Sequence, residues 1–252
     1  MHLYQPNISI GEMLFSIGVL FFAVLTSLQM IRKDQWWIRM SDFPHFQLTV
    51  LTFVCLAGLV FFGRLSDWFN IAVSLIGLAT LVYQIVIIFP YTPLASKRVK
   101  DWSPGCNATL LSILETNVYM ENSDFHKLLT VIGNCDPDIV IALETDKKWE
   151  KALQPIEKHY DYTIKYPMDN TYGLLIYSKL ELKDSKINFL VEKDIPSVDT
   201  NVVLNTGNTI RLYVVHPQPP SPTENERSTE RDAELVIIGK KSRDCRGPVI
   251  VA

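Results

Sequence analysis

Asp138-Ile-Val-Ile-Ala-Leu-Glu144 is the stretch on which the fold turns. Five apolar residues in a row, without the polar alternation of a half-wetted strand, mark a strand covered on both faces. Asp136-Pro137 breaks the chain before it, and Asp146 after it can cap a helix. A doubly covered strand needs a layer above and a layer below. The neighbouring sequence must therefore supply both.

It supplies them in alternation. Upstream, 108–118 is strand-like. Ser123 then offers an N-cap to a helix that places Phe125, Leu128, Leu129 and Ile132 on one face. Downstream, the helix capped by Asp146 carries Trp149, Leu153 and Ile156 on its inner side. Strand-like stretches follow near 160–165 and 173–178, and 202–204 with 210–215 reads as a hairpin across Asn205-Thr-Gly-Asn208. A proline-rich loop at 217–222 leads to a helix over 224–241. Pro248-Val-Ile-Val-Ala252 begins another buried strand. The order predicts an α/β domain of mixed strand direction over 109–252. An apolar run at the end, with no cap or tail, reads as a chain cut within a domain whose C-terminal part is missing.

Residues 1–91 read differently. Apolar runs at about 13–30, 46–63 and 69–89 are long enough to cross a bilayer, which needs ~20 residues. None holds Asp, Glu, Lys, Arg or His in its interior, so none marks an ion path. Trp36, Trp37, Trp68 and Tyr91 sit at the margins, where aromatic rings favour the headgroup zone. The expectation is a three-span membrane anchor with the lipid bilayer as its partner, then a linker over 92–108. The first run lacks a basic leader and is too long for a signal peptide. Arg32, Lys33 and Arg39 fill the first loop, Arg64 stands alone in the second, and Lys97, Arg98 and Lys100 follow the third run. This distribution favours an outside N-terminus and a cytoplasmic domain.

Composition agrees with the division. At 48% hydrophobic residues a fully soluble chain is excluded, and the charged C-terminal part excludes a protein made only of spans. Of 24 basic and 27 acidic residues, four of each precede residue 97, leaving a mildly acidic remainder of 20 and 23. Cysteines at 55, 106, 135 and 245 form neither a disulfide framework nor a zinc pattern.

Three polar residues close strands. Asn117 ends Leu110-Leu-Ser-Ile-Leu-Glu-Thr-Asn117, Glu144 ends the run quoted first, and His216 ends Ile210-Arg-Leu-Tyr-Val-Val-His216. Ligands gather at strand ends in layered α/β folds. A carboxylate there suits Mg²⁺, and a histidine beside it can hydrogen-bond a phosphate or move a proton. Each residue also has a plain structural role open to it. Asn117 can start a turn, Glu144 can cap the next helix, and His216 continues the inward register of Ile210, Leu212 and Val214.

Taken in order, Ser112-Ile-Leu-Glu-Thr-Asn117, Pro137-Asp-Ile-Val-Ile-Ala-Leu-Glu144, Tyr172-Gly-Leu-Leu-Ile-Tyr-Ser178 and Leu212-Tyr-Val-Val-His216-Pro resemble the endonuclease/exonuclease/phosphatase (DNase I-like) family. Trp36-Trp37 and Asp42-Phe-Pro44 resemble its membrane-anchored branch. The resemblance implies an incomplete four-layer α/β sandwich and a Mg²⁺-dependent phosphoester hydrolase of the nuclease and phosphodiesterase class, with Mn²⁺ as a substitute. It assigns the metal to Glu144 and Asn117, and phosphate binding or leaving-group assistance to His216. Gly247-Pro-Val-Ile-Val-Ala252 resembles the strand before the family's Gly-Asp-x-Asn. The water-activating residues would then lie beyond Ala252, and this chain alone is expected to be catalytically dead or nearly so. The rival reading is a non-catalytic membrane protein that keeps the fold as a binding or assembly module. Because the remainder is net acidic and a tether holds it near headgroups, a lipid-linked or small phosphoester ranks above nucleic acid as substrate. Nothing in the sequence specifies a protein partner.

Overall fold

The computed structural model describes residues 9–64, 66–97, 101 and 110–252. Parts of the expected linker and of the 108–118 strand, together with Arg98, Lys100 and Cys106, lie outside the described residues. Contacts divide the chain into two units, Met1–Ser103 with Pro220–Ser228, and Pro104–Pro219 with Thr229–Ala252.

The first unit is helical. Helix α1 (Ile10–Leu28) is followed by a short α2 (Trp36–Arg39), then α3 (His45–Phe62) and α4 (Trp68–Ile88). Three helices, Ile10–Leu28, His45–Phe62 and Trp68–Tyr91, are long and apolar enough to cross a membrane. Ser9 accepts a hydrogen bond from the Glu12 backbone N–H at 3.1 Å and starts α1 three residues before the expected run. That earlier start brings a carboxylate into the helix, which the sequence reading did not. Glycines set the helix spacing. A Cβ on Gly58 would lie 2.4 Å from the Phe15 ring, and one on Gly18 would lie 2.6 Å from Cys55 Sγ, so α1 and α3 approach where neither has a side chain. Between α1 and α4, Asn70 donates to Glu12 Oε1 at 2.7 Å and Gln84 donates to Thr26 Oγ1 at 2.7 Å. Both ties join residues 58 apart, so the two helices run parallel.

The second unit is a mixed α/β sandwich. Its first sheet holds β1 (Ile113–Asn117), β2 (Ile139–Leu143), β3 (Tyr162–Tyr166) and β4 (Leu174–Ser178) in the order β1-β2-β4-β3, with β1 and β2 parallel and the other pairs antiparallel. The second sheet runs β5-β6-β7-β8, from β5 (Glu181–Asn188), β6 (Ser197–Val203), β7 (Thr209–Val214) and β8 (Val249–Val251). Strands β7 and β8 are parallel, and helix α7 (Thr229–Asp244) makes the crossover that a parallel pair requires.

The doubly covered strand is β2, and every residue in it is buried. Val140 and Ala142 face the layer of α5 (Phe125–Cys135) and α6 (Lys147–Leu153), where Trp149 meets Phe125 edge-on at 4.7 Å. Ile139, Ile141 and Leu143 face the second sheet and pack with Val198, Leu212 and Val214. Two sheets share one core, with helices on the outer side of the first.

Some expectations change. Asp124 rather than Ser123 occupies the α5 N-cap, because the Asn122 side chain accepts from the Asp124 N–H at 3.0 Å. Strand β5 lies where the sequence pattern predicts no strand, and β6 begins five residues before the expected 202. Helix α7 begins at Thr229 and not near 224. Side-chain turns in 221–227 compete with helix there, as Ser221 Oγ accepts from the Glu224 N–H at 3.1 Å and Asn225 Oδ1 from the Arg227 N–H at 3.0 Å. Segment 220–228 belongs instead with the helical unit, where the Trp36 N–H donates to Glu226 O at 2.9 Å and the Ser228 N–H to Asp34 O at 2.8 Å.

Candidate active site

Strands β1 and β2 are parallel and in register, with Asn117 opposite Leu143. Asn117 and Glu144 therefore leave the first sheet at the same end. Strand β4 runs the other way, with Leu174 opposite Leu143, so the loop before it arrives at that end too. Three residues here have left-handed backbones, Tyr119 (φ 56°), Glu144 (φ 61°) and Thr171 (φ 69°). Such conformations are uncommon outside glycine and concentrate at functional sites.

Glu144 is held from both flanks. The Val118 N–H donates to Leu143 O at 3.1 Å, and the Thr145 N–H donates to Gly173 O at 2.9 Å. Thr145 O in turn accepts from the Met168 N–H at 3.0 Å. This close approach requires glycine at 173, because a Cβ there would fall 1.9 Å from Thr145 O and 2.4 Å from Met168 N. Capping of α6 falls to Asp146, whose Oδ1 accepts from the Lys148 and Trp149 N–H groups at 2.9 Å each. The Glu144 carboxylate is left to other work.

Its partners are the other two residues singled out from the sequence. Asn117 donates through Nδ2 to Glu144 Oε1, and Asn117 Oδ1 accepts from the Tyr119 N–H at 2.9 Å. His216, two residues beyond β7, places Nε2 3.4 Å from the same Glu144 oxygen. The structure thus brings residues 117, 144 and 216 together from both sheets. It adds one that residue-by-residue reading missed, since the Tyr172 ring lies 5.6 Å from the imidazole at 44°. Tyr172 opens the stretch Tyr172-Gly-Leu-Leu-Ile-Tyr-Ser178 that carries part of the family resemblance, and that is the sequence signal that could have found it.

Side-chain exposures of 18% for Glu144 and 22% for His216 leave the cluster reachable by water and ligand. Mg²⁺ is commonly held by one or two carboxylates, with waters and phosphate oxygens completing its shell. Glu144 supplies one hard carboxylate, and Asn117 faces it with nitrogen. Among the described residues no group of three or more His, Cys, Asp or Glu is placed to hold a metal. The donor set fits a loosely held divalent ion whose remaining ligands come from water or substrate.

The profile of the Endonuclease/Exonuclease/phosphatase family matches residues 114–252, more than half of the chain. The chain belongs to that family. Its members act on phosphoester bonds and generally use divalent metal ions. Similar solved structures include a humanized TDP2 from D. rerio, at 18% identity and TM-score 0.47, covering 56% of this chain and 59% of that one. A family protein from Beutenbergia cavernae aligns at 14% identity and TM-score 0.44, over 56% of this chain and 46% of its own. TDP2 from C. elegans aligns at 13% identity and TM-score 0.46, over 98% of this chain and 67% of its own. The chain thus spans about three-fifths of the length of the D. rerio protein. No curated protein matches it.

Proposed function

We propose that the chain supplies the metal and phosphate side of the site of a membrane-anchored, divalent-metal-dependent phosphoester hydrolase. The observation that carries this is the convergence of Asn117 and His216, from different sheets, on one Glu144 oxygen at the end of the fully buried β2. Family membership supplies the reaction class, and the three long apolar helices support the anchor.

In this reading Glu144 holds the ion, with Mg²⁺ or Mn²⁺ as the hard cations that suit a carboxylate and water. A bound divalent ion supplies positive charge that polarises the phosphoryl oxygen. Asn117 serves through Glu144, because its amide N–H fixes the carboxylate while the Tyr119 N–H fixes the amide. His216 donates from Nε2 to a phosphoryl oxygen or to the leaving group as it departs. Tyr172 packs on the imidazole and limits its rotation. The net acidic composition beyond residue 96 favours a lipid-linked or small phosphoester over nucleic acid, since duplex binding depends on neutralising many phosphates. A cytoplasmic site agrees with the basic residues in the first loop and after the third apolar helix.

The test combines two readouts on the purified chain. Mn²⁺ binding followed by electron paramagnetic resonance should show one site, lost in Glu144→Gln. Hydrolysis of bis-nitrophenyl phosphate, a phospholipid and plasmid is then compared with Mg²⁺ and with EDTA. Mn²⁺ binding untouched by Glu144→Gln would remove the metal assignment. Metal binding with little or no hydrolysis is the expected result, brisk turnover lost in Glu144→Gln would show that the water-activating group lies within this chain, and absence of metal binding would favour the binding or assembly module. Plasmid nicking with no activity on the other two would overturn the substrate ranking.

A further inference from the structure

We propose that Asn170 is a positioning residue of the candidate active site: it ties the turn before β4 to the loop between β5 and β6, and so holds the Tyr172 ring against His216. This rests on the reading of His216 as the group that meets the phosphate.

The imidazole needs such support. His216 lies past the end of β7, and its Nε2 is 3.4 Å from Glu144 Oε1. That separation is at the outer limit of a hydrogen bond, so by itself it fixes the orientation of the imidazole only weakly. The Tyr172 ring packs on the imidazole with centroids 5.6 Å apart, and Tyr172 is 7% exposed. Where that ring stands therefore decides which way Nε2 can point.

The backbone that carries Tyr172 does not hold itself. Thr171 is left-handed at φ 69°, a conformation that a β-branched residue keeps only where its surroundings impose it. Asn170 imposes it. Its Oδ1 accepts from the Tyr172 N–H at 3.2 Å and closes the turn around Thr171. An asparagine with this bond alone would swing with its turn. Here Nδ2 also donates to Asp194 O at 3.0 Å, across 24 residues of sequence. That carbonyl is a firm anchor, because every residue from 195 to 200 is buried and Ile195 is 3% exposed. One short side chain thus accepts from the turn and donates to the neighbouring loop. Aspartate or serine could close the turn but not make the second bond, and alanine could do neither. On the other flank of Tyr172, Gly173 O takes the Thr145 N–H at 2.9 Å. The Gly173 bond seats Glu144, whereas the two Asn170 bonds bear on the tyrosine and, through it, on the imidazole.

The experiment is nuclear magnetic resonance of the full chain in detergent with isotope-labelled histidine, the His216 signal being identified by its loss in His216→Asn. The Tyr172 ring current displaces that signal, and Tyr172→Leu measures the displacement. Asn170→Ala should remove most of it while Mn²⁺ binding, followed by electron paramagnetic resonance, persists. Binding of inorganic phosphate to the Mn²⁺-loaded chain should weaken roughly threefold to tenfold in the same variant, about the worth of one hydrogen bond from a donor no longer aimed. Asn170→Ser keeps an acceptor for the Tyr172 N–H without reaching Asp194 O, and its displacement should lie between the two. A His216 signal unmoved in Asn170→Ala overturns the proposal. So does loss of Mn²⁺ binding together with the displacement, since Asn170 would then support the whole loop and not the tyrosine. Phosphate affinity unchanged despite a moved signal overturns the link to the site. The full wild-type displacement in Asn170→Ser overturns the tie to Asp194, and it decides the matter even if Asn170→Ala does not fold. The hydrolase reading fails separately, because Mn²⁺ binding untouched by Glu144→Gln removes it whatever the imidazole signal does.

Discussion

Each unit of this protein holds a glutamate whose carboxylate takes a hydrogen bond from an asparagine amide, and the two pairs differ in almost everything else. Asn117 meets Glu144 across parallel neighbouring strands, with His216 on the same oxygen and the side chain 18% exposed. Asn70 meets Glu12 across parallel helices, with the glutamate residue 5% exposed and two orphaned acceptors nearby. The strand-end pair has a proton carrier and access to water, which suits turnover. The helix pair is closed off from water and ties α1 to α4, which suits holding the helices together. A third glutamate supplies the contrast. Glu234 on α7 is 4% exposed with Oε1 unpartnered, and its nearest electrostatic influence is Glu192 rather than an amide.

The sharpest way to break the comparison is Gly173→Val. A side chain at that position meets Thr145 O and Met168 N, so the loop behind Glu144 must move at a cost of about 3 kcal/mol. Thermal unfolding should record the loss, and Mn²⁺ binding should fall with it. Near wild-type stability would show that Gly173 is not what seats Glu144. Next in size is Asn117→Ala. It leaves the metal ligand in place and frees its orientation, so Mn²⁺ binding should weaken by roughly tenfold to a hundredfold while the fold persists. If affinity is unchanged, the amide only terminates β1.

Gln84→Leu probes the other tie between α1 and α4. Thr26 keeps its bond to Phe22 O at 2.8 Å, so only the interhelical contact is lost, at about 1 kcal/mol in a detergent unfolding series. A much larger loss would mean that this tie, more than the one between Asn70 and Glu12, holds α4 to α1. The smallest effect concerns Glu234. Burial first, and Glu192 second, raise its pKa above the usual carboxylate value. The folded state therefore holds this proton more tightly than the unfolded chain does. The contribution to stability is greatest below the ordinary glutamate pKa and declines as pH rises through the raised one. Glu234→Gln should flatten that part of the stability profile, and an unchanged slope would place its origin elsewhere.

Much of the fold was legible because burial on both faces leaves an unambiguous record. Residues 139–143 and 174–177 are runs of apolar and aromatic residues, and the strands that contain them are wholly buried. Strand β5 left no such record, since Lys183, Asp184, Ser185 and Lys186 are exposed at a sheet edge, around a register shift between Lys183 and Lys186. The first half of β6 was hidden for a related reason. Its Asp199 and Thr200 look like loop residues until Arg211 pairs with the first and Ser185 Oγ lies 2.7 Å from the second. Polar residues in a strand become readable only when their cross-strand partners are known.

The site divides along the same line. Asn117, Glu144 and His216 could be picked out singly because each is a polar residue closing an apolar run, and position along the chain is local information. Their meeting at one oxygen depends on the register of β1 against β2 and on how two sheets share a core, which no short segment encodes. The sequence by itself determined the strand and helix periods, the three apolar helices and the identities of the strand-end residues, because side-chain chemistry and spacing suffice for those. Only the tertiary structure decided that Tyr172 stands against His216, that glycine is obligatory at 173, and that Glu12 finds Asn70 58 residues away. Those contacts join segments distant in sequence, and they form only when burial of the apolar faces has brought the backbones together.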